Sequence, residues 1–265
     1  AVLSRGGTMA ARAMTPGVGI VHVHTDYSHD GKDPVERLRE WAIARGISFI
    51  GLTDHAEDLS AAQFEELVAR CRRASDQQVT IIPGLEYRFA GYSGLHLLAL
   101  GLSHRIDPAT PEQFVTQAAS AARFTIAAHP GLFRYRLPDS VAQAIDAIEV
   151  WNAAYNTRYL PDPAAVRLLE SVRARRPEVV GTAGLDQHDS RNDRGTRVVL
   201  LDPHATDPLA ELKAGRFVNR GSTMEFPARK PFGPLGLAAL TGLRAGLDVV
   251  NFVHERAVRA LRRVA

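Results

Sequence analysis

Apolar runs that stop abruptly at histidine or carboxylate recur along the chain, separated by stretches with apolar residues every third or fourth position. The first run, from residue 18, ends in His22 and His24, followed by Asp26, Ser28, His29, Asp30 and Gly31. Asp33 and Pro34 then read as the N-cap and first position of a helix, with Val35, Leu38, Trp41, Ala42 and Ile43 as its apolar stripe and Gly46 as its stop. A second β-rich run over 47–53 delivers Asp54 and His55. Ser60 caps a helix carrying Phe64, Leu67, Val68 and Cys71 on one face. Strands are predicted at 79–83, leading into Gly84 and Glu86, and at 94–101, with His96 near its start. A helix over 111–122 precedes a strand over 124–128, which ends in His129, Pro130 and Gly131.

The alternation continues to residue 215. A short helix over 140–145, a strand over 147–151, an amphipathic helix over 163–175 and a strand over 179–183 lead to Asp186 and His188, and Asp207 opens a last short helix. Strands alternating with helices imply a parallel sheet, and this many repeats favour a closed barrel. From residue 226 prolines and glycines take over before a helical stretch begins at Leu237. The expected organisation is a flexible lead-in over 1–16, a (β/α) barrel over 17–225 and a helical extension over 226–265 packed on it. Arg256, Arg259, Arg262 and Arg263 near the C-terminus read as a solvated helix end, with a membrane surface or nucleic acid as competing partners.

Composition narrows the choices. The 265 residues are 45% hydrophobic and 23% charged, ordinary for a globular chain able to bury a sizeable core. A formal charge of +3 is too small to argue for nucleic acid and does not oppose an anionic substrate. The single Cys71 excludes an intramolecular disulfide and fits a reducing, cytoplasmic setting. No apolar run is long enough to span a membrane, and the first fifteen residues lack the compact apolar segment of a signal peptide. The ten histidines are the unusual feature, because most fall at the ends of strand-like runs.

Two residues apart on a strand, His22 and His24 leave from one face and can point at one spot. The polar residues gathered at strand ends are His22, His24, Asp30, His55, Glu86, His96, His129, Asp186 and His188. In a (β/α) barrel the carboxyl ends of the strands open on one face, so these positions are expected to converge. Imidazole and carboxylate ligands suit divalent transition metals, and nine suit two or three ions. Glu86, with two oxygens, is the natural bridge. Taken singly, His96 also fits a satisfied core histidine, and Asp54 an acceptor that orients an imidazole. His104, His204 and His254 read as surface residues. Trp151 and Asn152 fit either a pocket wall or a buried Trp with a turn-forming Asn.

The set His22-x-His24, Thr53-Asp54-His55, Pro83-Gly84-x-Glu86, His96, Ala128-His129-Pro130 and Asp186-x-His188 resembles the PHP (polymerase and histidinol phosphatase) superfamily over roughly 18–215. The resemblance implies a distorted (β/α)7 TIM-like barrel with a trinuclear zinc, manganese or iron site. One ion would take His22, His24, Glu86 and Asp186, a second Glu86, His96 and His129, and a third Asp30, His55 and His188. Ile20 stands where many members have Asp, and His29 competes with Asp30 for the third site. The implied activity is hydrolysis of a small phosphate monoester, of histidinol-phosphate or nucleotide type, by metal-activated hydroxide, with Glu86, Asp186, His188 and His55 as the catalytic groups. Arg134, Arg191, Arg194 and His29 lie on loops of the expected active face, where arginine can fork onto a phosphate, although a solvated loop arginine fits as well. A 3′–5′ nuclease on the same site would need stacking aromatics, for which Tyr135, Tyr155 and Tyr159 are candidates. A non-catalytic interaction module and a metal-dependent amidohydrolase are the remaining readings. The ligand set being complete speaks against the first, and no Lys at any strand end supplies the second's carboxylated bridge.

Overall fold

A computed structural model describes residues 17–156, 159–229 and 232–261, with side chains described as far as residue 250. The expected lead-in over 1–16, Arg262, Arg263 and the side chains of His254, Arg256 and Arg259 lie outside what is described. The chain begins β1 (Val18–Val23), α1 (Val35–Arg45), β2 (Phe49–Leu52), β3 (Asp54–His55), α2 (Ala61–Ala74), β4 (Thr80–Ile82), β5 (Gly84–Arg88) and β6 (His96–Leu100). It continues α3 (Pro111–Ala121), β7 (Phe124–Ala128), α4 (Asp139–Ala142), β8 (Ala147–Asn152), α5 (Pro163–Arg173) and β9 (Val180–Gly184). The last elements are β10 (Arg197–Leu200), α6 (Pro208–Lys213), β11 (Phe217–Arg220), β12 (Glu225–Pro227) and α7 (Pro234–Leu261).

The fold is mixed α/β, and it is not the closed barrel expected from the alternation. Its strands form two six-stranded sheets, β12-β11-β10-β1-β2-β4 and β3-β5-β6-β7-β8-β9. Two seams join them. At the first, Thr53 separates β2 from β3 and Pro83, which has no N–H to give a ladder, separates β4 from β5, so the pairing passes from one sheet to the other. At the second, Leu185 N donates to Val21 O (3.2 Å), Gln187 N to His22 O (3.2 Å) and His24 N to Gln187 O (2.8 Å). Closure along the full length is blocked because β10 pairs antiparallel with Val18 and Gly19, leaving the β9 end of the chain only the carboxyl end of β1.

Nor is the sheet all parallel. The seven residues between β5 and β6 are too few for a helical crossover, so β6 runs antiparallel to β5, and it is antiparallel to β7 as well. Strands β10 to β12 were not expected from the sequence: they are three or four residues long, and β12 ends in a proline. The expected boundary at 225/226 falls inside β12, which pairs with β11.

Alternate strand residues feed two apolar layers. One layer, with Val21, Leu98, Leu100, Phe124, Ile126, Ala147 and Val180, lies between the strands, and the other, with Leu85, Tyr87, Leu97, Ala99, Ile148 and Val150, meets the helices. Helix starts are mostly as expected, with Ser60 and Gln63 forming a capping box and Asp207 accepting from Ala210 N. The start of α1 is displaced by one residue. Pro34 occupies the cap, and the Asp33 carboxylate instead accepts from Ser190 N (2.7 Å). Cys71 is buried in the helix-side layer, which pushes its thiol up to about 12 and keeps it neutral. Helix α7 packs on α5 through Leu240 and through the Arg167–Thr241 hydrogen bond. Among the described residues no helix is long and apolar enough to cross a membrane.

Candidate metal centre

One edge of the sheets carries the chemistry, and the direction of β6 explains how His96 reaches it. Because β6 is antiparallel, its first residue lies opposite Arg88 and Ala128, level with the carboxyl ends of β5 and β7. A strand-initial histidine thus joins strand-final ones. His22 reaches the same edge through a bulge. The β1–β2 register shifts between Val21 and Val23, His22 has φ 65°, and Val21 and Val23 face opposite layers although two apart. His129 (φ 24°) and Asp186 (φ 48°) are likewise at positive φ. Such backbone costs about 1–3 kcal/mol per residue and persists where the surroundings dictate it.

Two buried carboxylates sit at the centre. Glu86 Oε1 accepts from His96 Nδ1 (2.8 Å) and lies 3.3 Å from His129 Nε2 and 3.7 Å from His22 Nε2. Its Oε2 lies 3.0 Å from His55 Nδ1 and 3.6 Å from His24 Nε2. Asp186 Oδ1 lies 3.2 Å from both His22 Nε2 and His24 Nε2. Half-exposed Asp30 spans His55 Nε2 (3.4 Å) and His188 Nε2 (3.2 Å), and the His188 ring stacks on His24 at 4.2 Å.

The donor atoms form three groups, each within 4.8 Å: His24–Asp30–His55–His188, His22–Glu86–His129 and His22–His24–Asp186. Ligand bonds of about 2.0–2.2 Å put donors roughly 3–3.6 Å apart around one ion, close to these separations. The division differs from the one implied by the resemblance, since His24 joins the Asp30 group as well as Asp186, and His96 stands outside all three beside Glu86. His22 Nε2, His24 Nε2, His188 Nε2 and Asp30 Oδ1 are buried without a hydrogen-bond partner. Unpaired buried polar atoms are costly, and cations held by these groups would satisfy all four.

The second ring nitrogens of His22 and His24 are fixed from behind. His22 Nδ1 donates to Glu149 Oε1 (3.0 Å), and Glu149 Oε2 accepts from His129 N and Asn152 Nδ2, both at 2.7 Å. A Cβ at residue 184 would lie 1.6 Å from Glu149 Oε1, so only Gly184 leaves this carboxylate its place. His24 Nδ1 donates to Ser28 Oγ (3.3 Å), which donates to Asp54 Oδ1 (2.8 Å). Asp54 also accepts from Thr25 N and Thr25 Oγ1 at 2.7 and 2.9 Å. Asp54 therefore orients an imidazole through Ser28 rather than by direct contact. Such outer partners set the tautomer that leaves Nε2 free to ligate.

The electrostatics are those of a cation site. Burial alone would lower His22, but Asp186 and Glu149 beside it hold it well above the ordinary histidine range. Burial would raise Glu86, yet the imidazoles of His129, His22, His55 and His96 around it hold it well below the carboxylate range. Asp186 is lowered in the same way by His22 and His24 against its burial. Burial lowers His96 and His188, the latter helped by His24. His55 is raised, its burial outweighed by Glu86.

The expected substrate-binding residues are less well placed. His29 is 61% exposed and bound to Asp58 through Nδ1 (2.7 Å). Arg191 is 84% exposed and forks onto its neighbour Asp189, because the short turn after Asp189 brings the two side chains together. Arg194 donates to Ala153 O (2.7 Å), and Arg134 is exposed with no side-chain hydrogen bond among the described residues. Trp151 is core, stacked on Phe226 at 5.9 Å, while Asn152 supports Glu149. His104 and His204 are exposed.

Two site residues were not foreseen. Glu149 stands between Ile148 and Val150 in a strand that is otherwise apolar up to its last residue, Asn152, and that lone charge was the available sign. Arg88 follows Glu86 at the same parity and lies 3.2 Å from His55 Nε2. Tyr155, half exposed, lays its ring 4.7 Å from that of His129. Tyr155, expected from the sequence only as a stacking aromatic for a nuclease, arrives on the loop after β8.

Residues 21–127 match the PHP domain family model. A two-domain protein from Bacteroides vulgatus, containing a predicted PHP-like metal-dependent phosphoesterase, superposes with a TM-score of 0.57 at 18% identity over 78% of this chain. The chain spans 65% of the length of that protein. An amidohydrolase from Chromobacterium violaceum aligns at 16% identity over 64% of this chain and 87% of its own, with a TM-score of 0.41. Curated protein sequences include no significant match.

Proposed function

We propose that the chain is a metal-dependent phosphoesterase that hydrolyses a small phosphate monoester at this centre. The observation that carries the reading is the convergence of nine side chains from strand ends and the loops beside them, five of them with a buried nitrogen or oxygen that lacks a hydrogen-bond partner. The match of residues 21–127 to the PHP domain family model supports it. The proposed carrier is a distorted seven-stranded (β/α) barrel opened by β10, and the hydrogen bonds from Leu185 and Gln187 to β1 support that description. Residues 17–227 are its unit, with α7 appended.

His22, His24, Asp30, His55, Glu86, His129, Asp186 and His188 would hold two or three zinc, manganese or iron ions, with His96 beside Glu86. When bound, the ions supply an acidified water and positive charge at the phosphoryl oxygens. Glu86, with five imidazoles within 3.7 Å, would be the shared carboxylate. Glu149 and the Asp54–Ser28 pair keep His22 and His24 in register. His188 and His55 lie next to Asp30 towards solvent, where a departing oxygen can gain its proton. A cavity of about 200 Å³, lined by His129, Tyr135, Tyr155, Asn156 and Asp162, adjoins the centre and has room for a small leaving group. A long polynucleotide would need a more extended stacking surface.

Metal analysis of the purified protein, with a phosphate-release screen over sugar, amino-alcohol and nucleotide phosphates and a short oligonucleotide, tests the reading. Bound metal with release from a monoester is expected. Full metal occupancy with no release from any substrate would overturn it in favour of an interaction module, and stepwise shortening of the oligonucleotide in favour of a nuclease.

A further inference from the structure

The structure assigns the gripping of the substrate's phosphoryl group to Arg88, an inference that rests on the phosphoesterase reading above. Leu85 and Tyr87 of β5 face the helix-side layer, so Glu86 and Arg88 share the opposite face and Arg88 reaches the rim of the metal centre. Its Nη2 lies 3.3 and 3.2 Å from the two ring nitrogens of His55, and its backbone is opposite His96 in the β5–β6 ladder. Among the described residues no other Arg or Lys side chain makes an ion pair or hydrogen bond with a candidate ligand. Arg191 is engaged by Asp189.

The position is odd for a merely structural cation. Arg88 stands beside groups that gather cations, and a guanidinium next to metal ions is repelled unless an anion joins the two. Its visible partners are weak or displaceable. The Glu57 contact is 3.4 Å between side chains that are 43% and 45% exposed. A nitrogen of His55 that ligates a cation has no lone pair left for Arg88, so loading the centre releases Nη2. The freed fork, mounted on a strand and facing the centre, matches the oxygens of a phosphoryl dianion.

The test compares metal-loaded wild type, Arg88→Ala and Arg88→Lys for metal content, KM and kcat with p-nitrophenyl phosphate, and affinity for inorganic phosphate. Metal content is expected to hold while KM rises and phosphate affinity falls by about 10- to 100-fold in Arg88→Ala. Arg88→Lys, which keeps the charge without the fork, should fall between, and it serves if the alanine variant does not fold. Unchanged KM and phosphate affinity, loss of metal, or no phosphate binding by the loaded wild type would each overturn the assignment. Phosphate binding that depends on Arg88 in a protein that cleaves no ester would sink the phosphoesterase reading and leave the anion site standing.

Discussion

Glu149 shows how a residue that touches no substrate can govern the site. Its carboxylate holds the ring of His22 and the backbone of His129 together, and these come from strands far apart in the chain. Glu149→Ala should therefore weaken metal binding by about 10- to 100-fold, read by competitive titration with a chelator. An unchanged affinity would mean that His22 is oriented by its neighbours alone. Gly184→Ala tests the same carboxylate from the other side. A methyl 1.6 Å from Oε1 must displace it, so the variant should melt lower and bind metal less well than wild type. The glycine and the glutamate are far less informative separately, since neither has a visible purpose until β8 and β9 are paired.

Elements deliver the candidate ligands by departing from regularity. The bulge at His22, the reversed direction of β6 and the break at Pro83 each place a polar side chain where an even ladder would have pointed it elsewhere. Ordinary local rules account for the helices. Ser60→Ala removes the hydroxyl half of the α2 capping box, leaving the backbone N–H of residue 60 on Gln63, and should cost about 1 kcal/mol, measured by urea unfolding, with metal content unaffected. A loss of metal in that variant would show that α2 braces the centre more directly than its contacts imply. Helix positions and most strand positions were legible because capping and apolar spacing are local properties. Strands β10 to β12 were not, since short strands are stabilised by neighbours that only the folded chain supplies.

At the scale of the molecule, a cluster of acids and imidazoles makes metal-free stability depend on pH. The carboxyls of Glu86, Asp186 and Glu149 are lowered on folding, so their contribution is present at neutral pH and lost as pH falls below about 4. His22 is raised, so its contribution is complete below about 6.5 and is lost as pH rises through its folded value. His55, also raised, acts in the same sense, while His96 and His188, lowered, oppose it. The large displacement of His22 sets the sign, and the metal-free protein should melt lower at pH 8.5 than at pH 6. Zinc needs the lone pair of His22, so its stabilising effect should grow over the same range and reach about 2.7 kcal/mol at a hundredfold excess over Kd. Thermal melts with and without zinc across pH 6–8.5 check both, and flat profiles would contradict them.

Read alone, the sequence determined most of the side chains that gather at the centre, because polar side chains interrupt apolar strands and such interruptions are visible one residue at a time. It also set the helix caps and stripes, which depend on residues within a turn of one another. Only the tertiary structure decided that β10 occupies the edge needed for closure, that His96 arrives from a reversed strand, and that Glu149 and Arg88 belong at the centre while Arg191 does not. Those outcomes depend on which strand lies beside which, and pairing between distant segments leaves little trace in the local order of residues.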